Sequence, residues 1–121
     1  LVEAITLDSI LQSRDWPNVS LVKIDVQGAE VRVLDGAYEM LRYSRPVLFI
    51  EVDPSALNEQ GFSVQNLSER LDAADYKAFL LGKRGHLEKL KFSDLNTFCI
   101  HNHNYIDILC LPSERIHKDL D

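Results

Sequence analysis

The sequence predicts an open α/β sheet of the doubly wound kind, and three observations carry this expectation. Short apolar runs recur as strands at Leu21–Val26, Val47–Glu51, Tyr76–Leu81 and Ile106–Leu111. Stretches of helical period separate the first three of these runs. The first run delivers a carboxylate, Asp25, as it ends, and then turns through Gly28 into a helix. In open sheets of this kind, ligands sit in the crevice outside the carboxyl ends of the strands.

Taken in order, Leu1–Thr6 reads as a short strand, after which Thr6 caps a brief helix over Leu7–Leu11. Arg14-Asp15-Trp16-Pro17-Asn18 is a loop, because proline and its polar neighbours stop the helix. From Ala29 the period changes: Val33, Leu34, Ala37, Tyr38 and Leu41 share one helical face, while Arg32, Asp35, Glu39 and Arg42 share the other. Gly36 inside this helix costs about 1 kcal/mol relative to alanine, which points to a close helix-to-sheet approach there. Ser44-Arg45-Pro46 ends the helix, and Val47-Leu48-Phe49-Ile50 has the continuous apolar character of a central parallel strand. Asp53-Pro54 opens a loop through Gly61. Ser63 then caps a helix whose buried stripe is Val64, Leu67, Leu71 and Ala74. Gly82-Lys83-Arg84-Gly85 closes the strand Tyr76–Leu81, a short strand follows at Leu87–Leu90, and a polar loop leads to Ile106–Leu111.

This order gives two right-handed βαβ units with a parallel three-stranded core, and a last strand that returns antiparallel. The run Leu21–Val26 is too apolar for an exposed edge, so something should cover its outer side.

A chain of 121 residues suits a single domain. Its net charge of −6 argues against nucleic acid and anionic membranes as partners. No apolar run approaches the roughly 20 residues of a membrane span. Nothing before Thr6 has the basic start and apolar middle of a secretory leader, and Cys99 and Cys110 have neither metal-ligand spacing nor the pattern of a disulfide framework. The expectation is a reducing, cytoplasmic setting with both thiols free.

Lys23-Ile24-Asp25-Val26-Gln27-Gly28-Ala29-Glu30, followed by Leu34-Asp35-Gly36-Ala37 and by Arg45-Pro46-Val47-Leu48-Phe49-Ile50-Glu51, resembles the FkbM family of methyltransferases. The flanking Thr6-Leu7-Asp8 and Asp107-Ile108-Leu109-Cys110-Leu111-Pro112 are similar to the same family's segments. Gln27 is a departure, standing where the family usually carries glutamate. The resemblance implies a class I, Rossmann-like fold binding S-adenosylmethionine, with this chain as its strands four to seven, the last antiparallel. It also implies methyl transfer to an oxygen of a small molecule or sugar. No G-x-G cluster of the cofactor half is present among the five scattered glycines. The expectation is therefore a partial domain, residues 1–121 forming the substrate-side half without the cofactor-binding N-terminal half, and inactive alone.

On that mapping Asp25 ends strand four beside the transferred methyl, as a proton acceptor or a hydroxyl-orienting group. Glu51 ends the next strand and faces the same crevice. Glu30 is a third catalytic candidate, although a carboxylate in the first turn of a helix is favourable for electrostatic reasons alone. Gln27 and Gly28, at the crevice edge, are the candidate cofactor contacts. Lys23, expected to be mostly buried, should pair with Asp25 or Glu51. His101-Asn102-His103 has two metal-capable imidazoles but no third ligand near in sequence, and His86 and His117 are isolated, so no metal is expected. Tyr38, Trp16 and Phe49 read as packing residues. The rival reading is a small non-enzymatic α/β interaction module that pairs or self-associates through its first strand.

Overall fold

The computed structural model describes residues 4–116. The described chain is a five-stranded mixed sheet with helices packed on it. Helix α1 spans Leu7–Ser13, with the Thr6 hydroxyl accepting from the Ser9 amide as its cap. Ala4–Thr6 form no strand, and Leu1–Glu3 lie outside the described residues.

Strand β1 is Leu21–Ile24, so Asp25 lies just past its end. The predicted single helix after it is two short ones, α2 (Glu30–Asp35) and α3 (Tyr38–Tyr43). The break is set by a residue distant in sequence. Asp8 donates its amide to the Gly36 carbonyl, and its carboxylate accepts from the Glu39 amide at 2.8 Å and the Met40 amide at 3.0 Å. Asp8 therefore caps α3 from across the chain. Gly36 is close not to the sheet but to this cap: a Cβ there would sit 3.0 Å from the Thr6 Cβ.

Strand β2 (Val47–Val52) pairs in parallel with β1, Lys23 opposite Phe49 and Ile24 opposite Ile50. The stretch read as a loop contains α4, Pro54–Glu59. Asp53 caps it by accepting from the Ser55 and Ala56 amides, and proline at the first helical position is pre-set for it. Helix α5 (Val64–Ala73) opens on a reciprocal cap between Ser63 and Asn66. Strands β3 (Tyr76–Leu81) and β4 (Leu87–Leu90) then form an antiparallel pair. The polar stretch that follows holds α6, Leu95–His101, whose Leu95 and Cys99 are buried one turn apart. Strand β5 (Ile106–Pro112) completes the sheet.

The strand order is β1-β2-β5-β3-β4, and β5 is antiparallel to both β2 and β3. The expected parallel three-stranded core is corrected here. Strands β2 and β3 run the same way but never touch, because β5 is seated between them.

One face of the sheet, with Ile24, Leu48, Ile50, Ala78, Ile108 and Cys110, forms a single buried cluster with Val31, Leu34, Met40, Leu57, Leu67, Leu71 and Leu95 of the helices. The register places Leu21, Lys23, Phe49, Glu51, Asp107 and Leu109 on the other face. Arg45 fastens the far end. Its guanidinium donates to the Leu41, Ala74 and Asp75 carbonyls, pairs with Glu114 and lies over the Tyr76 ring. Cys99 and Cys110 are free and buried. Burial pushes the Cys99 thiol up to about 11 and the Cys110 thiol higher still. Among the described residues, no helix is long and apolar enough to cross a membrane.

Candidate functional site

The carboxyl ends of β1 and β2 open onto a turn whose geometry is set by one buried side chain. Gln27 has φ of 51° and Gly28 φ of 100°, two successive residues in the left-handed region. Glu30, 1% exposed, holds them there. Its Oε2 accepts from the Val26 amide at 3.1 Å, and its Oε1 accepts from the Gly28 amide at 3.0 Å. The Glu30 carboxylate is thus occupied by the backbone of the turn. At Gly28 an added Cβ would stand 2.1 Å from the Ala56 carbonyl oxygen of α4. On its Cβ side Gly28 is packed against α4, and its amide is already donated to Glu30. Gln27 is exposed, and its side chain donates to Asp25 at 3.2 Å.

Asp25 is exposed at the crevice mouth, and Gln27 is its hydrogen-bond partner. Glu51, half-buried on β2, sits directly across the ladder from Asp107 of β5. Opposed like charges destabilise a sheet. Burial first, and then the Asp25, Asp107, Asp53 and Glu30 carboxylates, raise the Glu51 carboxyl above its ordinary range. The strand ends therefore bring Asp25, Glu51 and Asp107 together, with Asp53 and Glu30 behind them committed to backbone amides.

The two ion pairs among the described residues, Arg45–Glu114 and Arg70–Asp35, lie away from this group. The expected Lys23 pairing is corrected: Lys23 is exposed on the edge strand and needs no buried partner. His101 and His103 are both exposed, and no group of three or more possible metal ligands forms among the described residues. His117 lies outside them. Trp16 and Tyr38, read as packing residues, are 42% and 55% exposed.

Asp107 was not singled out as a site residue from the sequence. Its signal was the antiparallel return of the last strand, which carries the first residues of that strand back to the end of β2. Asp53 was legible only as the start of a loop, whereas it is the cap that orients α4 over the Gly28 turn.

A family model described as the methyltransferase FkbM domain matches residues 1–78, from the start of the chain into β3. None of the curated proteins and none of the solved structures compared with the chain matches it. The match takes in Asp25, Gly28, Glu30 and Glu51, which build and line the turn and the crevice, as well as Asp8, the cap of α3, and the chain belongs to the FkbM methyltransferase family.

Proposed function

We propose that this chain is the acceptor-binding half of an S-adenosylmethionine-dependent O-methyltransferase domain, its β1, β2, β3 and β5 corresponding to strands four to seven. The observation that carries the reading is the arrangement of carboxylates at the ends of β1, β2 and β5 beside an uncovered edge. Strand β1 ends the sheet, yet Leu21 on it is 62% exposed, and Val26, two residues past its end, is 41% exposed. An apolar, unpaired edge is what a sheet shows where another segment belongs. That segment, in this reading, is the cofactor half. The methyl acceptor is a neutral small molecule or sugar hydroxyl.

S-adenosylmethionine supplies the methyl group when bound. The described residues fit the acceptor side of such a reaction better than the cofactor side, because Gly28 is packed against α4. Glu51, with its raised carboxyl, takes the acceptor's proton, and Asp25 orients the hydroxyl from the mouth of the crevice. Glu30 is a positioning residue that fixes the turn carrying Asp25.

Calorimetric titration of S-adenosylmethionine into this chain, and into one extended upstream, tests the reading. Binding by the extended chain alone is expected. Binding by the short chain would place the cofactor on the wrong half, and binding by neither would favour a non-enzymatic module. In an active extended chain, Glu51→Gln should lower turnover by about a hundredfold or more, and unchanged turnover would remove Glu51 as the base.

A further inference from the structure

Glu51 and Asp107 stand directly opposite each other where β2 and β5 pair, so their side chains leave the same face of the sheet. Side chains so placed have Cβ atoms about 4.5–5.5 Å apart, and two like charges there work against the pairing. Nothing nearby offsets this repulsion. Asp107 is exposed and takes part in neither ion pair of the described residues. Lys23, opposite Phe49 on the same face, is not ion-paired with Glu51. The other charges acting on Glu51 are carboxylates: Asp25 past the end of β1, Asp53 at the exit of β2, and Glu30 of α2. Those three accept hydrogen bonds from the chain, whereas among the described residues none reaches the Asp107 carboxylate. Asparagine, serine or threonine at this position would pair without the repulsion. A residue that weakens the sheet with no return in bonding or packing is one whose use lies in function.

We infer, on the reading of Glu51 as proton acceptor given above, that Asp107 is a positioning residue whose charge across the ladder sustains the basicity of Glu51. In the transfer the acceptor oxygen bonds to the methyl carbon, the carbon–sulfur bond breaks with its electron pair left on sulfur, and the hydroxyl proton passes to Glu51. An ordinary carboxylate is a weak base at neutral pH, and raising its affinity for a proton brings it nearer the useful range. Burial contributes most to that rise at Glu51, the Asp25 charge next, and Asp107 after it. Asp25 and Asp107 divide the work by position. Asp25 stands at the mouth, where it meets the acceptor, whereas Asp107 is held beside Glu51 by strand register and acts without touching the acceptor.

The test is a carbon-detected NMR titration of the Glu51 carboxyl in the parent chain, in Asp107→Asn, in Asp107→Glu and in Glu88→Gln, a control on the far edge strand β4. The midpoint should fall in Asp107→Asn and stay near that of the parent in the other two. Urea unfolding at neutral pH should find Asp107→Asn more stable than the parent, because the opposed charge is gone. An unmoved midpoint, one moved as far by Glu88→Gln, or a less stable Asp107→Asn protein overturns the proposal. In an active extended chain, Asp107→Asn should carry the acid limb of the pH–rate profile to lower pH, with a smaller loss of turnover than Glu51→Gln. An unmoved limb there overturns the role. An extended parent without methyl transfer overturns the function proposed above instead, and the titration still decides whether Asp107 acts on Glu51.

Discussion

Removing the Glu30 carboxylate should unfold the Gly28 turn at a cost far above that of any exposed carboxylate nearby. Two backbone amides depend on it, Val26 at 3.1 Å and Gly28 at 3.0 Å. A hydrogen bond to a charged group contributes about 1.5–3 kcal/mol. The Val26 amide can turn to water, since that residue is 41% exposed, whereas the Gly28 amide is buried and cannot. Glu30→Ala should therefore cost about 3 kcal/mol, a fall in thermal midpoint of roughly 10 °C for a chain of this size. Glu30→Gln should recover less than half of that. Placing its carbonyl at either carboxylate position sets the amide nitrogen against the Val26 or the Gly28 N–H. Asp25→Asn, at an exposed side chain bonded to Gln27, should change stability by no more than about 0.5 kcal/mol. Urea and thermal unfolding of the three variants beside the parent are the assay. A Glu30→Ala protein within 1 kcal/mol of the parent, or an Asp25→Asn protein as damaged as Glu30→Ala, would refute the assignment of Glu30 as the anchor of the turn.

Three further outcomes follow from the same geometry. Gly28→Ala meets the Ala56 carbonyl at 2.1 Å and must hold φ near 100°, so it should lose more than about 2 kcal/mol in urea unfolding, with α4 displaced. Asp8→Ala removes the cap of α3 and should cost about 1 kcal/mol; faster hydrogen exchange at the Glu39 and Met40 amides would locate the loss. The hydrogen bonds and charge of Arg45 hold the Glu114 carboxyl down at about 2, against an ordinary 4.5. A depressed carboxyl stabilises the fold above its unfolded value and loses that contribution as pH falls towards the folded one. Between pH 4.5 and 2 the parent should lose stability that Glu114→Gln does not, by about 1 kcal/mol or less because Glu114 is half exposed. Parallel pH profiles of the two proteins would contradict it.

What could be read in the sequence was whatever local chemistry determines. The strands at Leu21, Val47, Tyr76 and Ile106 are announced by their apolar runs, the half-polar Leu87–Leu90 is only faintly legible, and Thr6 and Ser63 cap the helices they precede. The short helices were hidden. In α4 only Leu57 is buried, and α6 has no side-chain cap, so neither shows a period long enough to read. The break after Gly36 depends on Asp8, about thirty residues earlier, and the Glu51–Asp107 opposition depends on a strand pairing across half the chain. Lys23 misled because an apolar strand suggests burial on both faces, whereas β1 is an edge. The crevice acids were legible as ends of strands; which of them are occupied by backbone amides was not.

The seat of β5 between β2 and β3 has a consequence for how the chain acquires its structure. Until the last strand arrives, β1 with β2 and β3 with β4 are two separate ribbons that share no hydrogen bond. Among the described strands the one that joins them, β5, is the latest in sequence, so closure of the sheet waits on contacts distant in sequence, the slow kind. A nascent or shortened chain that stops before Ile106 exposes the inward edges of both ribbons, which are templates for pairing with other chains. The order of strands thus makes the arrival of β5, more than the gain of any one helix, the event that closes this sheet.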